Sequence, residues 1–104
     1  MAKKKNGIIW DYYGENIDLY SEYYRFNNKI EGVYRDYNKN SQLIAIYNYK
    51  NNKREGEYKE YDRNGELWKL CNYKNDKKEG EYIIFCENRH ICRIYNYKNG
   101  KKIN

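Results

Sequence analysis

The residues best equipped for chemistry in this chain are Cys86, His90 and Cys92, which crowd its last third. A structural zinc site wants four ligands, commonly with a Cys-x-x-Cys pair, and here three stand at unsuitable spacing. If the intervening hairpin closes on Asn88-Arg89, Cys86 faces Ile91 and Phe85 faces Cys92. The two thiols then point to opposite faces and share neither a metal nor a disulfide; a longer loop would lift that restriction. A nucleophilic Cys–His pair would also need a third group to orient the imidazole, and a concave site. His90 therefore reads as an exposed turn residue. The chain has no phosphate-binding glycine loop, no paired carboxylates in a defined pocket and no Ser-centred elbow. It is expected not to be an enzyme and to need no cofactor or metal.

The cations are more regular. Lys50, Lys53 and Arg54 recur as Lys74, Lys77 and Lys78, and again as Lys98, Lys101 and Lys102. Glu55 and Glu79 offset the first two groups in part. Equal phase predicts that all nine emerge along one long edge of a sheet. Such a stripe can meet RNA, DNA, an anionic membrane or an acidic protein groove. Alternatively it is a solvated edge that keeps an exposed sheet from aggregating. Tyr49, Tyr73 and Tyr97 lie among these lysines, and aromatics so interleaved can stack unpaired bases. Their recurrence with the repeat is explained first by packing. Trp10 and Trp68 occur once each in their slots, and unique aromatics are the better interface anchors. Trp68 and the nine cations are the candidate partner-binding residues.

These residues are carried on a repeat of 24 residues. Glu31-Gly32, Glu55-Gly56 and Glu79-Gly80 open units 31–54, 55–78 and 79–102, and each unit closes on Tyr/Cys-Asn-Tyr-Lys-Asn. A period of this size decides architecture before propensity does. In the unit 55–78, Tyr58 to Tyr61 reads as a strand, Asn64-Gly65 as a type I′ turn, and Leu67 to Tyr73 as the returning strand. Alternation puts Leu67, Lys69, Cys71 and Tyr73 on one face, and Trp68, Leu70 and Asn72 on the other. Lys74 to Lys78 is a second polar turn. Residues 7–30 fit the frame as a worn copy and terminal cap. There Tyr13 takes the slot of Tyr37, Asn16 that of Asn40, Leu19 that of Leu43, Ile8 the glycine slot and Trp10 the first Tyr slot. The expectation is an all-β protein: an antiparallel meander of four hairpin repeats in an elongated, largely single-layer, twisted sheet about 40 Å long. Residues 1–6 are expected to be a disordered basic N-terminus, and 7–104 a single domain.

The unit pattern, Glu-Gly-x-Tyr-x-x-Tyr/Phe, then Asn-Gly-x-Leu, then Tyr-Lys-Asn-x-Lys, resembles the MORN family, and more closely its bacterial variant form. The similarity covers residues 7–102 and rests on Gly56, Tyr58, Tyr61, Asn64, Gly65, Leu67 and Tyr73. Only Asn64-Gly65 keeps the Asn-Gly turn; its counterparts are Asn16-Ile17, Asn40-Ser41 and Asn88-Arg89. The resemblance implies a small β-hairpin repeat protein of antitoxin-like type, a scaffold or inhibitor that binds another protein. It implies no active site.

Bulk composition agrees with a thin fold. Tyr supplies 15 aromatics against two Trp and two Phe, and there is no Pro to interrupt a ladder. A Tyr core is thin because each hydroxyl wants water or a partner. The net charge of +6 rests on Lys, and Lys, Asn, Tyr and Ile all have A/T-rich codons. No apolar run reaches membrane-spanning length, and the start lacks a signal-peptide core. An odd cysteine count suits a reducing interior, so the expected location is cytoplasmic. The expected partner is a protein, such as a toxin or a nucleic-acid-processing machine; the alternative is nucleic acid or an anionic surface. Ile91 to Tyr97 would be an apolar edge strand with no following hairpin, open to pairing with a second copy.

Overall fold

The computed structural model describes residues 6–13 and 19–103. It is one antiparallel sheet, running as a meander and not closed into a barrel. The strands are β1 (Gly7–Tyr12), β2 (Leu19–Phe26), β3 (Lys29–Tyr37), β4 (Leu43–Lys50), β5 (Lys53–Tyr61), β6 (Leu67–Lys74), β7 (Lys77–Lys78), β8 (Gly80–Phe85), β9 (Ile91–Lys98) and β10 (Lys101–Lys102). β7 and β8 together form one path beside β6. The molecule measures 45 × 30 × 17 Å, the shape of a single twisted layer. There is no α-helix among the described residues, hence none long and apolar enough to cross a membrane.

Each hairpin loop and each inter-hairpin turn has its own chemistry, and they are assigned differently from the sequence expectation. The tight turns are Asn27-Asn28, Asn51-Asn52, Asn75-Asp76 and Asn99-Gly100, with positive φ at both residues. That is the backbone of a two-residue type I′ turn, which Asn tolerates at low cost. Asn64-Gly65 is not of this type. Only Gly65 has positive φ, and the loop is closed by Asp62, whose side chain accepts the N–H groups of Asn64 and Glu66 at 2.9 and 3.0 Å. Asn38 does the same for Asn40 and Gln42, with Ser41 in the glycine place. The segment Lys74 to Lys78 therefore contains only a two-residue turn, and β5 runs through Glu55-Gly56 instead of starting after it. The tail likewise continues: β10 pairs with the end of β9, so β9 does carry a following strand over Tyr97 and Lys98.

A bulge recurs where each loop returns. Asp36 pairs with Ala45 but Tyr37 with Leu43, leaving Ile44 extra. By the same register shift Tyr20, Trp68 and Cys92 are the extra residues of their hairpins. A bulge re-aims its side chain, so simple alternation fails at Trp68, which lines the same groove as Tyr58 and Glu60.

The worn copy holds a slip. Six residues separate β1 from β2, against five between β3 and β4. Tyr12, not Tyr13, pairs with Leu19 as Tyr37 does with Leu43. Gly7 takes the glycine place opposite Arg25, and Ile9 the Tyr place opposite Tyr23. A one-residue slip sends a strand's side chains to the other face. Ile8 and Trp10 therefore face away from the Tyr ladder. Asn16 lies outside the described residues, as does all of the expected N-terminal tail except Asn6, whose Oδ1 accepts the N–H of Asn27 at 2.6 Å.

The five residues buried among the described ones, Ile9, Ser21, Tyr23, Ala45 and Cys71, lie on one face. Tyr23, Tyr34, Tyr47 and Tyr58 run across it with ring centroids 4.6 to 5.1 Å apart. Such aromatic cross-strand pairs contribute about 0.5–1.5 kcal/mol each beyond area burial. Cys71 takes the next Tyr place, and burial pushes its thiol up to about 11. Tyr49, Tyr73 and Tyr97 stand opposite Gly32, Gly56 and Gly80 and lean on the tyrosines two residues after those glycines. The Tyr face is thus the core, and among the described residues no second layer covers it.

Candidate binding surfaces

The tight turns do form one edge, as expected, but they divide its cations into two kinds. Arg54 lies 4.3 Å from the Tyr73 ring centre and its Nε donates to Asp76 Oδ1 at 2.6 Å. The Arg54 guanidinium holds the Asp76 carboxyl below its ordinary value. Lys78 sits 4.6 Å from Tyr82 and 4.9 Å from Tyr97, and Lys102 lies 4.2 Å from Tyr95. These three cover the Tyr face. Lys50, Lys53, Lys74, Lys77, Lys98 and Lys101 are exposed, and none pairs with a carboxylate among the described residues. Lys50, Lys53 and Lys74 surround a hollow of about 360 Å³ between neighbouring turns, with Glu55 inside it.

Trp68 is not part of that edge. It belongs to the opposite end of the strands, beside the Asp62 loop. Trp68, Ile44, Tyr58 and Tyr61 line an open groove of about 640 Å³ with Asp36, Ala45, Glu60, Asp62 and Arg63. Lys69 Nζ lies 4.1 Å from the Trp68 ring and 3.8 Å from Glu60 Oε2. The Tyr47 hydroxyl donates to Asp36 at 2.8 Å, and the Tyr58 hydroxyl to Glu60 at 3.0 Å. Burial raises the Asp36 carboxyl above its ordinary value, and burial with these carboxylates raises Tyr47 and Tyr58. Groove and basic edge are separate surfaces with opposite charge.

A third surface combines Trp10 with residues that sequence reasoning passed over. On the face away from the Tyr ladder, Ile8, Trp10, Tyr24, Phe26 and Val33 are each 39–52% exposed. Ile8, Tyr24 and Val33 line a hollow of about 490 Å³ together with Glu22, Glu31 and Arg35. Trp10 Nε1 donates to Glu22 at 2.9 Å, and Glu22 also pairs with Arg35 at 3.3 Å, which fixes the indole. The signal in the sequence was the extra residue of the first loop, which moves Ile8 and Trp10 to this face.

Cys86 and Cys92 contradict the expectation that they diverge. The loop is longer than Asn88-Arg89 alone: Cys86 N–H donates to His90 O, and Phe85 pairs with Ile91. Cys92 is the bulged residue, and it joins Cys86 in a disulfide with a Cα–Cα distance of 5.6 Å. His90 is exposed in the turn, and no group of three or more metal-ligating side chains occurs among the described residues. No protein-family model matches the chain, and neither does any curated protein or solved structure.

Proposed function

We propose that the protein is a non-catalytic binding module that engages, and by engaging inhibits, a protein partner such as a toxin or a nucleic-acid-processing machine. The observation that supports binding is the apolar surface on β1 to β3. Five large apolar residues gathered on one solvent-facing sheet surface are unusual for a monomer and mark interaction sites. Trp and Tyr are the residue types that anchor interfaces. The inhibitory role draws on the resemblance to bacterial MORN-variant proteins. The test is capture with tagged protein from the host lysate, with and without nuclease, using wild type beside Trp10→Ala and Tyr24→Ala. One stoichiometric protein that survives nuclease and is lost with either variant supports this reading. Equal capture by all three moves the contact elsewhere.

A second reading has its own support in the six unpaired lysines: binding of nucleic acid or another anionic surface along the turn edge. It requires affinity to fall steeply with salt, because phosphate contacts release counterions. A flat salt response for a single-stranded oligonucleotide would count against it.

A further inference from the structure

The cross-strand pair that is Asp11 opposite Ser21 in the worn copy takes three further versions on the Tyr face. They are Asp36 opposite Ala45, Glu60 opposite Lys69, and Ile84 opposite Arg93 in successive repeats. The middle version is complete, since Lys69 Nζ lies 3.8 Å from Glu60 and rests 4.1 Å from the Trp68 ring. The first version has the acid without a cation. Asp36 accepts the Tyr47 hydroxyl at 2.8 Å, and no Lys or Arg pairs with it among the described residues. Burial raises its carboxyl, with no cation to offset the effect. A partly buried carboxylate without a counter-charge is costly. Ala45, where the next repeat has Lys69, is short and lies buried at the floor of the groove of Tyr58, Tyr61, Trp68 and Ile44.

We infer that the Asp36–Ala45 slot receives an arginine side chain of the partner protein. The chemistry is that of the neighbouring repeat, supplied from outside. Asp36 gives the counter-charge, and the aromatic walls attract a cation through their ring quadrupoles. A planar guanidinium stacks on such walls and pairs with a carboxylate in one pose. The room is that of the groove, whose floor at Ala45 carries no long side chain where the next repeat has Lys69. Arg63 lines the same groove and is the chain's own competitor for Asp36.

The source of the arginine rests on the protein-binding reading; the slot does not. The test is an NMR titration of the intact protein with N-acetyl-arginine amide and with its uncharged citrulline counterpart, following the Ala45 methyl and the Trp68 indole N–H. Wild type and Arg63→Ala should show saturable shifts with the arginine probe only. Asp36→Asn keeps an acceptor for Tyr47, so the fold persists, and should bind about tenfold or more weakly, as loss of a close charge pair requires. Ala45→Lys should fill the slot and abolish the shifts; if it does not fold, Asp36→Asn decides alone. Equal response to citrulline, undiminished binding by Asp36→Asn, or no saturable shift in wild type overturns the inference. Failed capture from lysate beside saturable arginine binding would overturn the proposed function and leave the slot standing.

Discussion

Glu55 accepts the backbone N–H of Asn75 at 3.0 Å, joining the glycine end of one repeat to the turn of the same hairpin pair. The bond recurs between Glu31 and Asn51 and between Glu79 and Asn99. Each turn is also tied to the one before it, as Asp76 N–H donates to Arg54 O at 2.9 Å and Gly100 N–H to Lys78 O at 2.9 Å. The Glu of each Glu-Gly is thus a staple for the next tight turn, and that is the physical reason for its period.

Replacing this staple should cost stability without touching the core. Glu55→Ala is expected to lose about 1 kcal/mol, the usual net value of an exposed hydrogen bond with some charge assistance. Glu55→Gln should lose less, since its amide oxygen still accepts. Urea unfolding midpoints measure both, and a Gln variant as weak as Ala would point to charge, not to the bond.

The glycine beside it makes a separate contribution. Gly56 has φ +88, and a Cβ added there would meet no atom within 4 Å. Gly56→Ala should therefore destabilise by backbone strain alone, by about 1–2 kcal/mol. Denaturation of Gly56→Asn should show a smaller loss, because Asn tolerates this region better. Equal losses would show that something other than φ sets the cost.

Much of this sheet was legible because its repeat is nearly free of noise. Leu43, Leu67 and Ile91 share a slot in sequence and pair with Tyr37, Tyr61 and Phe85 in the structure. What misled was counting by two. A bulge at Trp68 and one extra residue before Leu19 each shift the alternation, and neither is announced by residue type. The turns were misassigned because Asn-Gly is the stronger I′ signal in isolation, whereas Asp62 makes a different closure possible by accepting two N–H groups. The division of the cations was not visible either. Arg54, Lys78 and Lys102 differ from the other six in pairing opposite Tyr49, Tyr73 and Tyr97, on the Tyr face.

The last loop should respond to reductant as no other part of the sheet does. Cys86 occupies the place of Asp62 and has no side-chain capping bond, and Asn88 and Arg89 both hold positive φ. The disulfide to Cys92 replaces the missing closure. Reduction should lower stability by about 2 kcal/mol, the loop-entropy value for so short a ring. A Cys86→Asp, Arg89→Gly double variant restores the Asp62 type of loop and should make stability indifferent to dithiothreitol. Hydrogen exchange over 87–93 reads the site directly, and unchanged exchange on reduction would refute the closure role.

Asp36 and Asp76 contribute to the pH dependence with opposite signs. The folded-state carboxyl of Asp36 is raised above the ordinary value of 3.8, first by burial, with the Tyr47 hydroxyl pulling partly the other way. The folded state therefore holds this proton to higher pH than the unfolded chain does. Between the two values stability falls as pH rises, and above both the loss is complete. Asp76 runs oppositely, because Arg54 lowers its carboxyl and its contribution vanishes as pH falls through that lowered value. Comparing Asp36→Asn with wild type isolates the first effect. The two should be closest in stability at the acid end, and the variant should gain on wild type as pH rises through the carboxylate range. Urea unfolding from acid to neutral pH measures this difference. A variant that loses ground as pH rises would mean that the charged Asp36 has a stabilising cation, and that its slot is already filled.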